Sequence, residues 1–506
     1  MNVDSENKGN ISPETLKKAF WIVLGITTLI RLIYALKLPL TGDEAYFWEW
    51  ARHPALSYYD HPPLAGWILV LTTTIFGSTV AGVRMFAVIA MTFVFIVIRQ
   101  MSYEISGSWR TASLAGLLAM GIPLLEVGGI LYSTDTPLIL SGILGGYFFY
   151  RAVEHGSDKA WLGLGICSGA AVMSKFLGAA LPATCVIYLM LSPDHRHHLR
   201  RPGPYLAAGT AGLIFLPAIV WNATHGWATF IFNFAARHKS PSINIVYTAD
   251  YIIGQALAMS PLVLIFAFPA FMAFFPSRRR ENLAWDIPTI FALVPLSGFL
   301  LISLTNRVGA HWPGVGYPFL AIAVAGYLLR DGRLNLRYIL TAVTAWATVL
   351  ILLSIPLMLW IVPQDWSYPL RPEKFNAAQF KKAVIPPKET GEKVARVFSD
   401  LQGEGPAFLF TKSYALSSLI AFYTTDQPEV TVLGTGSVHG RNHELWFDPK
   451  DHINDNALFV SFHSYENDKG FLEDRFERLE MVSDSATDPD GTSVTIVKVY
   501  GYNGIR

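Results

Sequence analysis

Four short polar stretches carry the residues best suited to chemistry. The first begins Thr41-Gly42-Asp43-Glu44, continues through Ala45-Tyr46-Phe47-Trp48-Glu49-Trp50 and ends Ser57-Tyr58-Tyr59-Asp60-His61-Pro62-Pro63-Leu64. Adjacent carboxylates repel, and one of such a pair is suited to take a proton from an attacking group. As purely structural features, Asp43 caps a helix and the aromatic residues behind it anchor that helix at a membrane interface. The second stretch is Tyr132-Ser133-Thr134-Asp135-Thr136-Pro137, where Asp135 is either a helix-start residue ahead of the proline or a second acid of the same site. The third is Asn233-Phe234-Ala235-Ala236-Arg237-His238-Lys239. Its three neighbouring cations are either a solvated loop cluster or a phosphate clamp. The fourth is Asn306-Arg307-Val308-Gly309-Ala310-His311-Trp312-Pro313, and Lys175 stands alone between two apolar runs. Together they supply acids at Asp43, Glu44, Asp60 and Asp135, and bases at His61, Lys175, Arg237, His238, Arg307 and His311.

The elements that must hold these residues are apolar. The chain has 506 residues, 52% hydrophobic and 15% charged, a net charge of +1 and 2 cysteines. That composition excludes a disordered chain, a nucleic-acid-coating protein and a disulfide-stapled secreted domain. The charges are uneven. In residues 363–506, 36 of 144 residues are charged, as in an ordinary soluble domain; in the first 362 only 41 are. This predicts a short N-terminal segment (1–18), a membrane body (19–362) and a soluble domain (363–506). Apolar runs predict about eleven spans, and up to thirteen at most, near 19–38, 80–98, 110–126, 137–153, 160–174, 176–192, 204–221, 250–275, 287–304, 314–329 and 338–361. The run 64–76 reads as a helix lying on the outer surface. Cys167 and Cys185 both fall inside spans, as small packing residues.

Basic residues mark cytoplasmic ends. With the N-terminus inside, Lys17, Lys18, Arg99, Arg110, Arg151, Lys159, the run His195 to Arg201, Arg278 to Arg280, Arg330, Arg333 and Arg337 all fall on the inner side. Eleven spans then put 363–506 outside, in the periplasm of a bacterial cell. Short β-like runs at 407–410, 430–433, 457–462 and 494–500, with helical stretches near 390–402 and 413–423, predict a small α/β domain there. All four polar stretches fall on the outer side. A transporter would instead place its ionisable residues near the bilayer midplane, and an assembly factor would leave the outer loops without a common centre.

Taken in order, the acidic pair, the His-Pro-Pro-Leu run, the Thr-Asp-Thr-Pro loop and the Asn-Phe-x-x-x-Arg-His loop resemble the integral-membrane glycosyltransferases of the GT-C type. Within these they resemble the bacterial group related to protein O-mannosyltransferases and the lipid A aminoarabinose transferase. The resemblance covers most of residues 15–330. It implies a sugar donor on a polyprenyl phosphate and transfer at the periplasmic face of the cytoplasmic membrane. The acceptor is lipid A or lipopolysaccharide core, or alternatively a protein hydroxyl; a lipid-linked sugar transporter is the more distant reading. By resemblance Asp43, Glu44 and Asp135 are the catalytic acids, with Asp43 the base. His61, Lys175, Arg237, His238, Arg307 and His311 bind the donor phosphate or substrate. Asp60-His61 stands where the related type has an acid followed by lysine. An acid there and a loop histidine share a metal in the related enzyme, which makes Asp60 and His238 candidates for a divalent ion; two ligands fall short of a site, so none is assigned.

Overall fold

The computed structural model describes residues 12–236, 243–274, 283–330, 346, 388–434, 440–484 and 494–504. It divides into two compact units, one of Met1–Lys37 with His61–Ile355 and one of Leu38–Asp60 with Pro356–Arg506.

The first unit is helical: α1 (Pro13–Lys37), α3 (Leu64–Phe76), α4 (Val80–Ser106), α5 (Trp109–Met120), α6 (Pro123–Gly128), α7 (Asp135–Glu154), α8 (Asp158–Ser174), α9 (Ala180–Leu191), α10 (Pro202–Thr224), α11 (Ile245–Ala258), α12 (Pro261–Phe274), α13 (Leu283–Ser303) and α14 (Tyr317–Arg330). Among the described residues five helices are long and apolar enough to cross a membrane, or six if the bent pair α11–α12 is one span. The expected spans at 110–126 and 250–275 are each broken. Pro123 and Pro261 open the second helix of each pair, and a residue preceding proline is held out of the helical region. The α11–α12 break bends the chain by 103°. The last expected span, 338–361, lies outside the described residues except for Trp346. Helix α3 has 13 residues, about 20 Å, too short for a hydrocarbon core of about 30 Å. Helix α1 exposes Trp21, Ile22, Ile26, Leu29, Ile33 and Leu36, a lipid-compatible surface.

Small residues on α7 set the packing that matters most. A Cβ on Gly146 would sit 2.4 Å from the Phe319 ring, and one on Gly142 would sit 2.4 Å from Val315 Cγ2. Such close approach through glycine is how helices pack where lipid, not water, surrounds them. It seats the 3₁₀ turn Trp312–Gly316 against α7.

Contacts also sort the ends of this unit. Lys17 and Arg99 both lie over the Trp109 ring, at 5.3 and 4.3 Å, and the Tyr150 hydroxyl donates to the Glu104 carbonyl. His195 stands 3.7 Å from Glu154, and His198 packs against Trp161. At the opposite end Arg84 reaches the Ala35 carbonyl, and Asp135, Lys175 and His311 meet. Helix α7 has 20 residues, so about 30 Å separates its two ends.

The second unit holds α2 (Gly42–Arg52), α15 (Lys388–Gly403), α16 (Tyr414–Tyr423), α17 (Tyr465–Glu473) and five strands: β1 (Ala407–Thr411), β2 (Val430–Val432), β3 (Asn456–Ser461), β4 (Phe476–Ser483) and β5 (Thr495–Tyr502). The sheet order is β2-β1-β3-β5-β4. β1 pairs parallel with β2 and β3, and β5 pairs antiparallel with β3 and β4. Phe408, Phe410, Phe459, Phe476 and Tyr502 fill its core. The sequence reading missed β4. Most of its residues are exposed, Glu477, Arg478 and Glu480 among them, and a bulge between Met481 and Ser483 interrupts its pairing. An edge strand of this kind lacks the alternation that identifies a half-buried one.

Helix α2 is also different from expectation. Its aromatic residues do not stand exposed for a lipid surface: Tyr46, Phe47, Trp48 and Trp50 are all buried. Trp48 packs edge-on against Phe422 of α16, and a Cβ on Gly42 would lie 2.4 Å from Ala415 Cβ.

Candidate functional site

In the helical unit, Asp135 sits in the first turn of α7, where a carboxylate is favoured by the positive end of the helix. The Ser133 hydroxyl accepts from the Asp135 backbone N–H at 3.2 Å, and the Tyr132 hydroxyl donates to the Ala65 carbonyl at 2.7 Å, tying this loop to the start of α3. Lys175 Nζ donates to both Asp135 oxygens, at 3.0 and 3.2 Å, and the lysine is only 8% exposed. Lys175 closes α8 in an extended conformation (φ −164°) and turns its side chain out of the helical row. Gly178 then doubles back so tightly that a Cβ there would lie 2.1 Å from the Ala171 carbonyl oxygen. His311 Nε2 is 3.7 Å from Asp135 Oδ2, with the histidine ring about half exposed. Gln255 on α11 braces the loop that delivers it, donating to the Ala310 carbonyl at 3.0 Å and accepting from the Tyr317 hydroxyl. Arg307 is exposed and lies 5.2 Å over the Tyr247 ring. His61 is half-buried just ahead of α3. Arg237 and His238 lie outside the described residues.

In the second unit the Asp-Glu pair is split. Thr41 caps α2, and Glu44 completes a capping box, accepting from the Thr41 N–H at 2.9 Å and from its hydroxyl at 3.2 Å. Glu44 is 1% exposed, whereas Asp43 is exposed and accepts from the Tyr414 hydroxyl at 2.8 Å. Asp60 is buried; its Oδ2 accepts from the Tyr46 hydroxyl at 2.6 Å and from the Gly440 N–H at 3.2 Å. Burial, then the Asp60 charge, pushes the Tyr46 hydroxyl well above the ordinary tyrosine range, so it stays a donor. Asn442 joins the group, donating to the Tyr46 hydroxyl and accepting from the Tyr59 N–H.

One charged group here was not singled out from the sequence. Glu49, His53 and Glu429 bring one ligand-type atom each to within 4.8 Å of one another. Arg52 bridges the two carboxylates, 3.2 Å from Glu49 and 2.6 Å from Glu429, so a guanidinium already supplies the positive charge between them. Burial pushes the Glu49 carboxyl up to about 8, against the pull of Arg52. Glu49 and His53 share a helix face at i, i+4 spacing, which the sequence does display. Glu429 lies far along the chain, and nothing local points to it. Nor does any local signal mark Tyr414, Gly440 or Asn442 as partners of the first stretch.

Known proteins supply the frame for this geometry. Residues 60–221 match the family of dolichyl-phosphate-mannose-protein mannosyltransferases. An undecaprenyl phosphate-alpha-4-amino-4-deoxy-L-arabinose arabinosyl transferase from Pseudomonas aeruginosa is 24% identical over 375 residues, 66% of this chain and 65% of that one. The lipopolysaccharide core galacturonosyltransferase RgtA of Rhizobium johnstonii is 24% identical over 210 residues, 40% of each chain. The match thus spans less than two thirds of the length of these relatives. The crystal structure of ArnT from Cupriavidus metallidurans bound to undecaprenyl phosphate superposes with a TM-score of 0.66 at 16% identity, covering 96% of this chain and 99% of that one. The chain is similar to GT-C proteins of the ArnT and protein-mannosyltransferase type. The family match begins at Asp60 and takes in His61, Asp135 and Lys175, while Arg307 and His311 lie beyond it.

Proposed function

We propose that the chain transfers a sugar from a polyprenyl-phosphate-linked donor to a cell-envelope acceptor, lipid A or lipopolysaccharide core, at the periplasmic face of the bacterial inner membrane. The observation that carries this reading is Lys175, a buried ammonium held on Asp135 at the start of α7 beside His311. The fold is shared with a protein crystallised with undecaprenyl phosphate, and named relatives act on an undecaprenyl-phosphate sugar and on lipopolysaccharide core.

The chemistry follows from the leaving group. A lipid phosphate is stable as an anion, so no strong acid is required; positive charge must be waiting where negative charge grows. Lys175 and His311 supply it, with His61, Arg237, His238 and Arg307 as the further cations of the donor site. Asp135 aims Lys175, accepting from its ammonium with both carboxylate oxygens. The acceptor oxygen attacks the anomeric carbon, forming a new C–O bond. The bond from that carbon to the phosphate oxygen breaks, and its electron pair leaves with the phosphate. Asp43 takes the acceptor proton. One displacement inverts the anomeric centre. Glu44 holds the first turn of α2 so that Asp43 is presented. Asp60 has the Tyr46 hydroxyl and the Gly440 N–H on one oxygen, and no step is assigned to a metal.

Two measurements test this. Binding of undecaprenyl phosphate to the purified protein should weaken about tenfold or more in Lys175→Gln; unchanged affinity would move the phosphate site elsewhere. Mass spectrometry of lipid A and core from cells with and without the protein should differ by one sugar residue. The family match over 60–221 favours a protein hydroxyl as the second acceptor, and a mass difference confined to glycoproteins would select it.

A further inference from the structure

The C-terminal segment contributes a residue to the base. We propose that Tyr414 is a positioning residue for Asp43: its hydroxyl holds one carboxylate oxygen and leaves the other to receive the acceptor proton. This rests on the reading of Asp43 as the base.

Three observations fix Tyr414 in place. It is the first residue of α16, and its ring meets Tyr46 of α2 edge-on, with centroids 5.0 Å apart. Behind it the chain passes at Gly440 with φ +81°, so close that a Cβ there would stand 2.2 Å from Tyr414 Cβ. Only glycine meets both the left-handed backbone and that contact without strain. Gly440 in turn donates its N–H to Asp60. The Tyr414 hydroxyl is left with one direction, toward Asp43 Oδ1 at 2.8 Å. Burial, then the Asp43 charge, pushes this hydroxyl above the ordinary tyrosine range. It therefore remains a donor at any pH at which a cell lives. Asp43 Oδ2 carries no hydrogen bond from the described residues.

The arrangement answers a geometric need. An aspartate in the first turn of a helix can rotate freely about two side-chain bonds, and an exposed one samples several rotamers. A base must be held within a fraction of an ångström of its proton, since misplacement by about 1 Å costs about a hundredfold in rate. One charge-assisted hydrogen bond from a half-buried phenol packed on Tyr46 removes that freedom.

The test separates positioning from simple docking. Tyr423 lies on the same helix, and its hydroxyl accepts from the Leu40 N–H at 2.7 Å, close in sequence to Asp43 but not on its carboxylate. Turnover is measured on the full-length protein in nanodiscs. Undecaprenyl-phosphate-linked sugars extracted from the producing cells serve as donor, and lipid A from the same cells as acceptor. Tyr414→Phe should lower kcat about tenfold with donor KM and Tm unchanged. Tyr423→Phe should lower Tm and leave kcat within about twofold of wild type. Wild-type kcat in Tyr414→Phe, with Asp43→Asn inactive, overturns the role of Tyr414 and leaves Asp43 as the base. Full activity in Asp43→Asn overturns the base itself. Equal losses of kcat in Tyr414→Phe and Tyr423→Phe reduce Tyr414 to a docking contact and also overturn the proposal.

Discussion

Two neighbouring carboxylates illustrate what a single residue's surroundings decide. Asp43 and Glu44 are equivalent in the sequence, yet one faces solvent and the other is folded back onto the helix cap. Successive helix positions point about 100° apart, so only one of an adjacent pair can serve an outward site while its neighbour serves the helix. The same principle acts on His443. Its ring stacks on Tyr46 and packs against Trp446, and burial pushes it down to about 3, with His53 and Arg52 adding to the depression and Glu429 opposing it. A histidine buried as the neutral form contributes stability above its unfolded value of 6.5, lost as pH falls toward 3, because the unfolded chain takes up the proton that the folded one refuses. The Tm of the protein should therefore fall between pH 6.5 and 4, and His443→Phe, which keeps the ring over Tyr46, should flatten that fall. Parallel Tm–pH curves for the two proteins would remove His443 as the titrating group.

At the scale of elements, the strands were legible where they are buried on both faces and illegible where they are not. β1 and β3 read as continuous apolar runs because helices or neighbours cover both sides of the sheet; β4 carries charges along its open edge. The broken helices α5–α6 and α11–α12 were legible in principle, since Pro123 and Pro261 stand at the breaks. Their apolar content alone does not distinguish one span from two half-length pieces. The destination of α2 was not legible at all. Its aromatic face suits an interface or a core equally well, and the residues that bury it come from a segment more than 350 positions on. Glycine at position 42 is what lets α2 settle on α16. Gly42→Ala places a methyl group 2.4 Å from Ala415 Cβ, with the Ala415 backbone only 3.1 Å away. That overpacking should destabilise this unit by about 1–3 kcal/mol, read as a lowered Tm. Gly209→Ala on α10 meets nothing within 4 Å and should leave Tm unchanged or raised. Equal Tm values for the two variants would mean that α2 and α16 do not approach as closely as Gly42 requires.

For the whole molecule, the charge sorting read from the sequence has a structural counterpart in the helical unit. Lys17, Arg99, Arg151, His195 and His198 stand on segments joined by contacts at one end. Asp135, Lys175 and His311 stand together at the other. The first set needs no site to explain it, because positive residues gather on the cytoplasmic side of a membrane protein as it inserts. The second set places a lysine and a histidine at the end opposite that gathering. Orientation then turns on parity. An odd number of crossings separates the termini; an even number returns the C-terminus to the starting side. The run 64–76 is the place where the count could change, and α3 is one short helix of 13 residues, too brief to cross alone. With that run left out, the apolar runs of the sequence give an expectation of eleven crossings. On that count alkaline phosphatase fused after residue 506 should be active and a green fluorescent protein there dark. Fusions within the His195 to Arg201 loop should show the reverse, because that loop meets Glu154 at the basic end. A fluorescent C-terminal fusion with an inactive phosphatase would mean an even number of crossings. The C-terminal segment would then face the cytoplasm while Asp43, one span from the N-terminus, stays outside, and Tyr414 could not hold it.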